Sequence, residues 1–207
     1  ALIFDFTNGF HDSANAIATV VSTKVLTPRR AVAFAAFFNF VAAFTFGTAV
    51  AATISNIIKL EYVDAELVPL IILAGLIGAI SWNIITWLLG LPTSSSHALI
   101  GGVMGSGFSA AGLTAIKFST VELAATFMIV SPLLGMLFGF LFMVEILWIC
   151  RNTSKDKVDH HFKRLQLISA GIYSFSHGTN DAQKTMGIIT PLLFSIGYFS
   201  TSVDPTH

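Results

Sequence analysis

Charge is scarce in this sequence. Asp, Glu, Lys and Arg make up only 11% of its 207 residues, against about a quarter in soluble domains. The 11 basic and 11 acidic side chains cancel, so no net basic surface exists to seek nucleic acid or lipid phosphate. Cysteine is nearly absent as well. Cys150 stands alone and can form no internal disulfide, and no Cys/His spacing suits zinc. The first apolar stretch carries Asp5 and Asp12 with no basic region before it, so it is not expected to be a signal peptide. Because the chain opens on Ala1, it is expected to start inside a longer one.

What fills the sequence is apolar. Hydrophobic residues make up 54%, with 19 Phe, more than a soluble core of this size could hide, so the bulk must face lipid or other helices. Ala31 to Ile58 holds no charged residue and exceeds the roughly 20 residues that a membrane helix needs. Leu67 to Ile116 is equally free of charge, but Gly90, Pro92 and Thr93 to Ser96 divide it into a helix to about Leu91 and another from about Ser95 to Leu113. Leu123 to Cys150 forms a further span, and Leu2 to Thr23 and Leu165 to Tyr198 are apolar stretches with polar insertions. Basic loops collect on the cytoplasmic side. Lys24, Arg29 and Arg30 mark one inner loop, and the segment 151–164, with Lys155, Lys157, Lys163 and Arg164, marks another. The acidic stretch Lys59 to Glu66 then lies outside. An even number of crossings must join Arg30 to Arg151, and this favours a full crossing by the helix that starts at Ser95.

Two polar motifs resemble each other: Gly9-Phe10-His11-Asp12-Ser13-Ala14-Asn15-Ala16 and Gly178-Thr179-Asn180-Asp181-Ala182-Gln183-Lys184-Thr185. The first lies on a helix running toward the inner loop and the second on a helix leaving the other inner loop, so the copies are inverted. Inverted repeats with interrupted helices are the architecture of secondary transporters. At helical spacing Asn8, Asp12, Asn15 and Thr19 form one stripe, and His177, Asp181, Lys184 and Thr185 form another. Ionised carboxylates facing lipid are costly, by at least roughly 2.5 kcal/mol each, so both stripes should face the interior. Helix-to-helix hydrogen bonding alone would not call for paired acidic stripes.

Pro92-Thr93-Ser94-Ser95-Ser96-His97 is the third polar element. A hydroxyl residue before a helix reads as an N-cap, and three exceed what a cap needs. Together with the free N–H groups of a helix start they could hold a tetrahedral oxyanion. Gly101 and Gly105 in the same helix give a GxxxG spacing, expected to pack helices closely. Pro191 is expected to kink or end its helix, and His160 and His161 to be solvated.

Together these three elements resemble the PiT family of inorganic phosphate transporters, and the first motif is similar to that of its bacterial low-affinity branch. The resemblance covers essentially the whole chain. It implies an all-α, polytopic transmembrane protein with inverted-topology repeats and broken helices. Residues 1–150 would be the first repeat, with about five transmembrane helices, 151–164 a cytoplasmic basic loop, and 165–207 the start of an incomplete second repeat. It implies phosphate transport by proton or sodium symport across a bacterial inner membrane, with a divalent metal travelling alongside in some members, no other cofactor and no enzymatic activity. Its substrate-binding residues map to Asp12, Asn15, Ser94, Ser95, Ser96, Asn180 and Asp181. Two departures stand out. The second Ser/Thr-His element would lie beyond His207, so the chain is expected to be a fragment. Gln183-Lys184 replaces the commoner Ala-Asn, placing a cation beside Asp181 that speaks against sodium there and could either neutralise Asp181 or touch the anion directly. A sulfate permease of the same fold is the nearest rival. An intramembrane serine hydrolase or a purely structural subunit leaves the inverted acidic motifs unexplained, and a homo-oligomer stays open.

Overall fold

The computed structural model describes residues 1–45 and 47–198, and these described residues form a bundle of seven α-helices. They are α1 (Leu2–Ser22), α2 (Pro28–Ala42), α3 (Ala49–Ser55), α4 (Val68–Leu88), α5 (Ser95–Ala111), α6 (Phe118–Cys150) and α7 (Lys155–Ser195). No strand occurs among the described residues; one isolated antiparallel bridge pairs Ile58 with Ile116.

The predicted single span from Ala31 to Ile58 is two helices. α2 ends at Ala42 and α3 starts at Ala49. The reasons are local. Thr45 Oγ1 donates to the Ala42 carbonyl at 2.6 Å, taking an acceptor that the helix would otherwise use. A methyl at Gly47 would meet the Gln183 amide at 2.7 Å, so the glycine leaves room for that side chain to reach in from α7. Gln183 Oε1 in turn accepts from Val50 N–H at 3.0 Å, in the first turn of α3. An apolar run thus breaks where α7 supplies the hydrogen bond that a continuous helix would have made.

A second correction concerns 151–164. Charge marked it as a loop, yet α7 begins at Lys155 and leaves only 151–154 outside helices. Charged residues are good helix formers, no proline intervenes before Pro191, and Lys163 pairs with Asp159 one turn away at 2.6 Å. Pro191 does not end α7 either, which runs on to Ser195. His160 and His161 are exposed, as expected.

Directions follow from the contacts. Thr23 bonds Gln166, Asp12 approaches His177, and Asp5 accepts from Thr185, so positions fall along α1 as they rise along α7. The two helices are antiparallel. α2 and α3 run with α7: Gly171, Gly178 and Gly187 lie against Phe38, Asn39 and Ala51 in order. α4 and α5 form an antiparallel hairpin in which a methyl on Gly102 would strike the Gly75 carbonyl, so the backbones touch there. The predicted GxxxG pair plays no such part. A methyl on Gly101 or Gly105 would meet nothing within 4 Å, because both point into an open groove.

The hairpin reaches the polar middle of the bundle. Its tip meets α1 halfway along, with Phe10 against Trp87 (ring centroids 5.0 Å apart) and Ser95 against Asp12. Its far ends return to one another, since Lys59 N–H donates to Ala115 O and Lys117 N–H to Ile57 O.

Two apolar clusters bracket the middle of the bundle. Phe4, Ile54, Ile57, Ile71, Leu99, Val103 and Ile188 pack at one end, and Val20, Ala31 and Ala170 with Ile17 and Phe34 at the other. Residues 65–88 and 118–150 are long and apolar enough to cross a membrane. α6 has no buried residue at all and exposes Phe138, Phe140, Phe142 and Trp148, more apolar surface than water tolerates.

Candidate functional site

Between the two apolar clusters lies a polar layer drawn from α1, α7 and the tip of the hairpin. Burial along α1 follows steps of four: Phe4, Asn8, Asp12, Ala16 and Val20 face inward. Asn15 and Thr19, three and seven positions after Asp12, therefore turn outward and are exposed. On α7 the inner face carries Ser174, Gly178, Lys184, Thr185 and Ile188, and Asn180, one position before Asp181, is exposed. Of the predicted site residues, Asn15 and Asn180 are thus not part of the buried cluster.

The remainder meet. His177 Nε2 is 3.1 Å from Asp181 Oδ2 and 4.0 Å from Asp12 Oδ2, so one imidazole links the acidic residues of both motifs. Lys184 Nζ donates to Asp181 Oδ1 at 2.7 Å. The sequence left open whether this cation neutralises Asp181 or reaches the anion; here it is bound to Asp181. His11 Nδ1 lies 3.3 Å from Asp12 Oδ1, and Ser95 Oγ donates to Asp12 Oδ2 at 3.4 Å. Ser95 is buried and Ser94 and Ser96 are partly so. Ser94 caps α5, its Oγ accepting from His97 N–H at 3.5 Å. The hairpin tip thereby brings a helix N-terminus, with its free N–H groups and partial positive charge, beside a carboxylate.

A cavity of about 150 Å³ opens on this cluster, walled by Gly9, Asp12 and Ala16 from α1, Ala35 and Asn39 from α2, and His177 and Asp181 from α7. Asn39 is one of only two amides, with Asn56, in the charge-free run from Ala31 to Ile58, a signal that could have found it. Its Oδ1 is buried and accepts no hydrogen bond. His177 was visible one turn before Asp181, but its role as a link to Asp12 needed the antiparallel pairing. Among the described residues no three His, Cys, Asp or Glu side chains converge with metal-ligand geometry.

This arrangement can bind an anion at the hairpin tip and hold mobile positive charge between two carboxylates. Comparisons agree in kind. The sequence profile of the phosphate transporter family matches residues 8–156 and 148–206. The chain is 48% identical over 97% of its length to a probable low-affinity inorganic phosphate transporter of Rhizobium meliloti (strain 1021), of which it covers 59%. It is 45% identical over 99% of its length to one of Bacillus subtilis (strain 168), covering 61%. Against the low-affinity inorganic phosphate transporter PitB of Escherichia coli (strain K12) the identity is 35% over 94% of the chain and 44% of that protein. The chain thus spans about three-fifths of the length of the first two relatives. A solved structure titled the sodium-dependent phosphate transporter superposes on it with a TM-score of 0.78 at 26% identity, over 99% of this chain and 67% of that one. These names describe transport, not a chemical conversion. A match that covers nearly the whole chain, over a helical fold shared with a phosphate transporter, makes this protein a membrane protein of the phosphate transporter family.

Proposed function

We propose that this chain supplies the first repeat and the start of the second in a secondary transporter that carries inorganic phosphate across a bacterial inner membrane by symport with a cation. The observation that carries the reading is the meeting of Asp12 and Asp181, from antiparallel helices, through His177 beside the Ser95 hydroxyl. Two inverted acidic motifs converging mid-bundle suit a solute held between halves that rock about it. Phosphate would sit against the start of α5, taking hydrogen bonds from Ser94, Ser95 and Ser96 and from the free N–H groups of the first turn. Asn15 and Asn180, on the exposed faces next to the acidic residues, would reach it from outside the buried cluster.

Carboxylates next to a phosphate repel it unless a proton or another cation intervenes. That requirement couples the two movements: the anion binds well only when positive charge arrives with it. A proton, sodium or a divalent metal travelling with phosphate would each meet the need. The relatives' names support phosphate as the anion. The basic segments near Lys24 and Arg151 support a cytoplasmic position for the ends of α1 and α6.

The test is uptake of labelled phosphate by the complete gene product in proteoliposomes under imposed proton or sodium gradients, with sulfate as competitor. Gradient-driven uptake is expected, with little competition from sulfate, which carries no proton to share with a carboxylate. Asp12→Asn should abolish the gradient dependence. Undiminished, still gradient-driven uptake by that variant, or equal competition by sulfate, would refute the reading.

A further inference from the structure

Asp12 and Asp181 hold matching places in the two motifs, yet their surroundings differ. Both oxygens of Asp181 are engaged at short range, Oδ1 by Lys184 at 2.7 Å and Oδ2 by His177 at 3.1 Å. Asp12 has only longer contacts: His11 at 3.3 Å, Ser95 at 3.4 Å and His177 at 4.0 Å. Lys184 is 7% exposed and does not line the cavity that Asp12, Asn39, His177 and Asp181 share. The other charged group nearby, Asp5, accepts from Thr185 and brings no cation. One carboxylate therefore has a permanent positive partner and the other has none.

We propose that Lys184 is a built-in counter-cation that keeps Asp181 ionised throughout the transport cycle, so that the cation coupled to phosphate acts at Asp12 alone. This rests on the symport reading above. The charge balance supports it. With His11 and His177 neutral, Asp12, Asp181 and Lys184 together carry one negative charge, and a single proton or monovalent cation at Asp12 balances these three in a setting where an unpaired charge is costly. The two halves would then be alike in sequence but unequal in duty, the second motif acting as a fixed anchor and the first as the site that loads and unloads.

The measurement is coupling stoichiometry: in proteoliposomes with the complete gene product, the phosphate gradient at which net flux stops is read against a set cation gradient. Lys184→Met is expected to need one more cation per phosphate than wild type, because Asp181 has lost its partner. The double variant Asp181→Asn/Lys184→Met removes one charge of each sign and is expected to return to the wild-type ratio. An unchanged ratio in Lys184→Met, or a shifted ratio in the double variant, overturns the proposal. If Lys184→Met carries no phosphate, Lys184→Arg decides: flux at the wild-type ratio with the positive charge kept supports the counter-cation role, and a folded Lys184→Arg with a shifted ratio overturns it. Failure of the wild type itself to couple phosphate to any cation would instead strike the symport reading.

Discussion

Gly178 separates His177 from the rest of its motif and lies where α7 crosses α2. A methyl group there would stand 2.6 Å from Asn39 Cα and 2.7 Å from the Asn39 carbonyl oxygen, against 3.4 Å for the onset of ordinary contact. Both obstacles are backbone, so neither can swing aside, and Gly178→Ala must part the helices by about 0.8 Å at this point. Overpacking of this kind costs about 1–3 kcal/mol, and the better helix propensity of alanine returns at most about 1 kcal/mol. A net loss of about 1–2 kcal/mol corresponds to a Tm lower by roughly 2–8 °C for a domain of this size. Gly101→Ala is the control. It meets nothing within 4 Å, so only the propensity gain remains and the Tm should hold or rise. Thermal unfolding of both variants in one detergent measures the difference. Phosphate uptake should fall in Gly178→Ala alone, because the displaced segment carries His177 and Asp181. Equal melting temperatures for the two variants would show that α7 and α2 do not pack through this glycine.

Two further outcomes can be checked with the same preparations. Gln183→Ala leaves the Val50 N–H of α3 without its acceptor and should destabilise the protein by about 1–2 kcal/mol, whereas Gln183→Glu keeps an acceptor and should lose less; a denaturation series separates them. Ser95→Ala removes the hydroxyl that bridges α5 and Asp12 and should raise the KM for phosphate roughly tenfold, the value of one hydrogen bond to a charged group, while the Tm stays nearly constant because Ser94 still caps the helix.

The sequence carried the helical class, most helix limits and the pairing of the two acidic motifs, because these rest on periodicity and on charge, which act locally or along one face. α4, predicted from Leu67 to Leu91, spans Val68–Leu88, and α5 starts at Ser95 as its capping hydroxyl required. Features that depend on a distant partner were not legible. The break between Ala42 and Ala49 exists because Gln183 arrives from α7, and nothing in the run itself except Thr45 and Gly47 hints at it. Asn15 was assigned to the polar stripe because three and four residues are both helical neighbours on paper. The actual face of α1 follows steps of four, and Asn15 turns away. The depth of the hairpin was invisible for a similar reason: hydropathy reports length and not where a tip stops.

One turn of α7 gathers these threads. Asp181 is tied to His177 and Lys184, Gln183 bonds the start of α3, and Thr185 Oγ1 donates to Asp5 on α1 at 2.8 Å. Residues 181–185 thus fasten α7 to α1 and α3 through buried polar contacts within a single turn. Each such contact is expensive to leave unmade where water is scarce, so the turn can shift only if its partners shift with it. On the symport reading, charge arriving at Asp12 would act on this turn through His177, and a change in that one linkage would reach the broken helix and the far end of α1 together. The hairpin tip meets the cluster from α5 with only a 3.4 Å bond to Asp12. The polar layer is thus loosest around Asp12, whose contacts are all 3.3 Å or longer, and on the symport reading this is where an arriving phosphate and its cation would exert most leverage.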